Sequence, residues 1–90
     1  MKQITLDCET LLTAAAFHDA LAAKMEFPEY YGKNLDALFD CLTEICEDTE
    51  LILYNWHKLE YALKDYSGKL LYVFHCACKE NPQLIVTLHP

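Results

Sequence analysis

The spacing of apolar residues changes several times along the chain, and each change marks an element. Ile4 and Leu6 flank Thr5 in a two-residue alternation, which predicts a short strand over residues 3–6. From Thr13 the run AAAFHDALAAKM consists mostly of strong helix formers and sets Phe17, Leu21 and Met25 four residues apart. That spacing predicts an amphipathic helix, and Pro28 limits its extent. Residues 26–33 read as a loop containing Pro28 and Gly32, and two adjacent tyrosines, Tyr30 and Tyr31, cannot both easily reach the core from it. The sharpest helical pattern follows, with Leu35, Leu38, Phe39, Leu42, Ile45 and Cys46 on one face and Asn34 as its natural N-cap. Residues 51–54 and 84–88 are apolar runs that read as strands buried on both faces, as in a parallel sheet. Between them lie a short helix over residues 56–64 and a longer one after Ser67 and Gly68. The inner face of the second is Leu70, Leu71, Phe74, Ala77 and Cys78, which puts Cys76 outside with Tyr72 and Lys79. The order strand, helix, helix, strand, helix, helix, strand predicts an α/β fold: a small parallel sheet with right-handed helical crossovers.

Ninety residues form one domain, residues 1–90, with a core too small for a large cofactor cavity. No apolar run has the length of a membrane span, and the start MKQITLDCET lacks the features of a signal peptide, so the expected location is cytoplasmic. Fourteen acids oppose seven bases, a formal net charge of -7, which argues against nucleic acid as a ligand. The excess lies in residues 26–50, where Glu26, Glu29, Asp36, Asp40, Glu44, Glu47, Asp48 and Glu50 face the single base Lys33. Such a window is suited to a cationic partner, or equally to keeping a small protein solvated.

Cys8, Cys41, Cys46, Cys76 and Cys78 contain no CxxC pair, and an odd number cannot all pair, so reduced thiols are expected. His18, His57, His75 and His89 are scattered without ligand spacing, and neither a metal nor a cofactor is expected. A thiol enzyme is the weakest reading, because His75 next to Cys76 on a helix points about 100° away from it.

Asp36 and Asp40 are one turn apart on the polar side of their helix, a like-charged pair that costs stability in isolation. With Tyr30 and Tyr31 they form one surface having the chemistry of an interface centre: aromatics for contact area and carboxylates for bidentate hydrogen bonds. The plainer reading sends one tyrosine inward and leaves the acids to solvate the helix. As a catalytic acid and base the pair lacks anything to separate two pKa values.

The run PEYYGKNLDALFDCL, residues 28–42, resembles the signature of the barstar family, intracellular inhibitors of barnase-type ribonucleases. The similarity extends along the chain through Trp56, the stretch Tyr72, Val73, Phe74 and the last strand. It implies a three-stranded parallel sheet in order 1-2-3 packed with about four helices, no catalytic residues, and a one-to-one plug for the cationic cleft of a secreted ribonuclease or related toxin. The free protein is then expected to be a monomer. The resemblance also implies a partner-binding set of Tyr30, Tyr31, Gly32, Asn34, Leu35, Asp36, Phe39, Asp40, Thr43 and Glu44. Asp40 is the implied central anchor, Asp36 pairs with a second basic group, and the tyrosines cover a catalytic histidine and the cleft wall. Four positions depart from the family pattern: Phe39 and Ile45 replace tryptophans, Glu44 a glycine, and Cys76 a glutamate that reaches the nuclease from the last helix. The alternative is an acidic binding module whose cationic partner is not a ribonuclease.

Overall fold

A computed structural model describes residues 1–90. The elements follow in the order β1 (Lys2–Asp7), α1 (Ala14–Met25), α2 (Leu35–Thr43), β2 (Thr49–Tyr54), α3 (Trp56–Leu63), α4 (Asp65–Glu80) and β3 (Leu84–Leu88). The three strands form one parallel sheet in the order β1-β2-β3, with Ile4 opposite Leu51 and Leu51 opposite Val86. This is the α/β architecture expected from the sequence.

The sheet has one covered and one open face. Ile4, Leu6, Leu51, Leu53 and Leu84 point to a common side and are buried in a single core with Phe17 and Leu21 of α1, Leu38 and Leu42 of α2, Trp56 and Leu59 of α3, and Leu70, Phe74 and Ala77 of α4. The opposite side carries Gln3, Glu50 and Thr87, joined by hydrogen bonds in which Gln3 Nε2 and Thr87 Oγ1 donate to the Glu50 carboxylate at 3.0 and 2.8 Å. Tyr54, stacked on His89, and Ile85 are exposed there. The apolar runs at 51–54 and 84–88 therefore do not mark strands buried on both faces. A side chain can be apolar and half-covered by its cross-strand neighbours alone, which a run of hydrophobic letters does not distinguish from full burial.

Helix boundaries also differ from the periodic pattern, for local reasons. α4 begins at Asp65, so Ser67 and Gly68 lie inside its first turn, not before it; the Ser67 hydroxyl donates to the Lys64 carbonyl at 2.6 Å. Only Lys64, with φ 53°, separates α3 from α4. α2 ends at Thr43, and Ile45 and Cys46 fall beyond it although they continue its apolar face. The chain leaves the helix because Asn81, buried at the end of α4, donates its side-chain amide to the carbonyls of Leu42 and Ile45 at 3.0 and 2.9 Å. These bonds satisfy carbonyls that a helix end leaves open. Asn81→Ala is expected to lower stability by about 2 kcal/mol, read as a shift in the urea midpoint, because it leaves those carbonyls buried without donors.

Candidate functional site

Asn34 adopts an extended backbone and accepts the Ala37 amide on its side-chain oxygen at 2.8 Å, which starts α2 where the sequence places its cap. The same side chain donates to the Gly32 carbonyl at 3.2 Å. A Cβ at Gly32 would lie 3.0 Å from the Asn34 amide nitrogen, so glycine there leaves room for the cap. Lys33, at φ 53°, takes a left-handed backbone that strains a non-glycine residue. Its ammonium is 2.7 Å from the Asp19 carboxylate. The sole base of the acidic window is thus neutralised by an acid from outside it.

The two tyrosines part company. Tyr30 is 85% exposed, whereas Tyr31 is 6% exposed and packs on Phe27. The Tyr31 hydroxyl lies 2.6 Å from His18 Nδ1, and burial raises its pKa above the ordinary phenol value. Tyr31, expected on the contact surface, faces inward, because its hydroxyl pairs with buried His18 and its ring packs on Phe27. Thr43 is also turned toward its own helix, donating to the Phe39 and Asp40 carbonyls at 3.0 and 3.1 Å. Glu44 caps the end of α2 and is exposed.

Asp36 and Asp40 project from successive turns of α2 into a groove of about 890 Å³ between α2 and α4. Leu35 and Phe39 form its apolar side, so four of the expected contact residues share one concave surface. Tyr30, Tyr31, Gly32, Asn34, Thr43 and Glu44 are not among the groove's lining residues. The far wall is α4: Asp65, Gly68, Lys69, Tyr72, Val73, Cys76 and Glu80. Of these only Cys76 entered the sequence reading of the interface. The signal was present, since 65, 69, 72, 76 and 80 repeat at steps of three and four and so share one stripe of a helix.

The groove's electrostatics are one-sided. Asp36, Asp40, Asp65 and Glu80 face the single cation Lys69, and none of the protein's three ion pairs, Lys2–Glu47, Lys33–Asp19 and Lys58–Glu9, involves a groove residue. Cys76 stands in the α4 wall one turn from Tyr72, and its thiol raises that phenol's pKa. The other buried or half-buried thiols are poor nucleophiles: burial pushes Cys8 up to about 11 and moves Cys41 and Cys78 upward as well. Nowhere do three side chains of metal-binding type converge. No helix is long and apolar enough to cross a membrane.

His18, scattered among the histidines by sequence, is 1% exposed on α1 and touches both Tyr31 and Tyr66. Burial disfavours the imidazolium and moves its pKa below the ordinary value, against a smaller opposite effect of Asp19. In the unfolded chain the ring takes up its proton near pH ~6.5. Between that value and the lower folded one the unfolded state holds more protons, so stability falls as pH drops through this window and is regained above it. Urea midpoints at about pH 7.5 and about pH 5.5 are expected to show this loss, and His18→Gln to show less of it. Asp7 and Glu50, held low chiefly by side-chain hydrogen bonds, act in the same direction at more acid pH.

Comparison with known proteins adds to this geometry. The sequence model of the family described as Barstar (barnase inhibitor) matches residues 1–88. A Bacillus subtilis (strain 168) protein with the printed name "Putative ribonuclease inhibitor YrdF" is 37% identical over 81 residues, covering 89% of each chain. The match runs to the last residue of β3, and the observed sheet has the topology the resemblance implied; this chain belongs to the barstar family.

Proposed function

We propose that this protein is a ribonuclease inhibitor that binds one-to-one and fills the cationic active-site cleft of a barnase-type ribonuclease with the first turns of α2. The observation that carries this reading is the position of Asp36 and Asp40: exposed, one turn apart, without a cation of their own, on the wall of a groove that carries two further acids. A nuclease concentrates Arg, Lys and His where it holds RNA phosphate, and a rigid pair of carboxylates can occupy those phosphate positions. Family membership and the relative's printed name support the same activity. The protein then serves the cytoplasm of the cell that makes the nuclease, as an immunity protein, and has no catalytic role of its own.

In this arrangement Tyr30 supplies an exposed aromatic from the loop that leads into α2, while Tyr31 anchors that loop from inside on His18. Cys76 in the α4 wall cannot provide the anionic contact that the family's glutamate makes, so the cognate enzyme is one that does not need a cation there.

RNA cleavage by a barnase-type ribonuclease, titrated with this protein at low and physiological salt, tests the proposal. Inhibition is expected to saturate at one equivalent and to form more slowly as salt rises, since screening over roughly 8 to 10 Å removes the steering between opposite charges. Undiminished cleavage at a large excess of the protein overturns the assignment and leaves the reading of an acidic module for another cationic partner.

A further inference from the structure

His18 links the loop that leads into α2 with the start of α4, the helix that forms the far wall of the groove. Its Nδ1 is 2.6 Å from the Tyr31 hydroxyl, and its Nε2 is 2.7 Å from the Tyr66 hydroxyl. Tyr31 belongs to the loop that carries Tyr30 into α2. Tyr66 sits in the first turn of α4, beside Asp65 of the groove wall. A neutral imidazole offers one N–H and one lone pair, so one tyrosine must accept while the other donates. The two bonds therefore share a single choice of tautomer and act in series, so that the loop is tied to α4 only while both are made. Asp19, the next residue of α1, holds Lys33 on the protein's outside at 2.7 Å, so α1 grips the same loop from both sides.

We propose that His18 is a positioning residue: by bridging Tyr31 and Tyr66 it fixes the Tyr30 loop against the α4 wall, so that a partner meets both as one preformed surface. The role in binding rests on the reading of the groove as the inhibitory surface; the bridge itself does not. Preformation matters because a loop that must be ordered on binding costs affinity.

Tyr66→Phe is the decisive variant, since it removes one oxygen from a residue that does not line the groove. Amide exchange is measured in the free protein at Tyr31, whose N–H is bonded to the Pro28 carbonyl at 2.9 Å, and in the core strand β2, which reports global opening. The expected result is exchange at Tyr31 faster by roughly fivefold relative to β2, the worth of one net hydrogen bond. Tyr31→Phe combined with Tyr66→Phe is expected to cost less than the sum of the two single effects, because the loop is tied to α4 only while both bonds are made. Unchanged relative exchange at Tyr31, or fully additive effects, overturns the bridge. Kd for a barnase-type ribonuclease is then compared for wild type and Tyr66→Phe. A weaker complex supports the positioning role, and faster loop exchange with the same Kd overturns it. Should the wild type bind no ribonuclease, the inhibitory reading and the positioning role that rests on it both fall, while exchange still decides the bridge.

Discussion

Asp40→Ala is expected to weaken the complex with a barnase-type ribonuclease by roughly 100-fold or more, because it removes one partner of a charge pair that binding desolvates. The size of the effect follows from where Asp40 stands. It is on the second turn of a helix whose cap and buried face, Leu38 and Leu42, hold the backbone rigid, so its carboxylate needs no ordering to meet a cation. None of the protein's ion pairs engages that charge. Truncation would leave cations of the nuclease buried without an anion, and the loss should appear mainly as faster dissociation. Asp48→Ala, which removes an exposed acid outside the groove, should change only the association rate, and by a few-fold at low salt. Because Asp36 and Asp40 repel each other along the helix, Asp40→Ala should not lower stability. Equal Kd for wild type and Asp40→Ala would show that the anchor lies elsewhere.

Phe17→Ala should cost about 4 kcal/mol of folding stability, the largest single loss among these predictions. Phe17 is fully buried and its ring meets His18, Trp56 and Phe74 edge-on at centroid distances of 6.0, 6.5 and 6.4 Å. It is thus the point where α1, α3 and α4 touch. Deleting the ring removes both its transfer free energy and those aromatic contacts, and the elements around it are too constrained to close the cavity fully. Domains of this kind are stable by only about 5 to 15 kcal/mol, and a short chain sits toward the low end, so the fall in Tm should be roughly 20 °C. Urea unfolding of the two proteins gives the difference directly. A change below about 1 kcal/mol would mean that the three helices do not share this contact in solution.

A second consequence of the Phe17 cluster concerns the site. His18 follows Phe17 on α1, so collapse of the cavity would also disturb the ring that holds Tyr31 and Tyr66. Phe17→Ala should therefore weaken binding even at temperatures where the protein is folded, whereas Asn81→Ala, at the other end of α2 from Asn34, should affect stability alone.

Most of the architecture was legible in the sequence because it depends on local periodicity. The two-residue alternation at Ile4 and Leu6, the helical spacing from Leu35 to Leu42 and the cap at Asn34 are properties of neighbours along the chain, and the structure has each of them. The run PEYYGKNLDALFDCL carried the family for the same reason, as did the placement of Asp36 and Asp40 on one polar side of a helix. Four features depended on contacts between distant residues and were decided only in three dimensions. Whether 51–54 and 84–88 were covered on one face or two turned on where four helices happened to pack. The end of α2 was set by Asn81, 36 and 39 residues away from the carbonyls it holds. The choice of Tyr31 as the inward tyrosine was made by His18 and the groove's second wall by α4. Local letters fix which face of an element is apolar; only the tertiary structure decides what that face meets, and with it which polar groups are left for a partner.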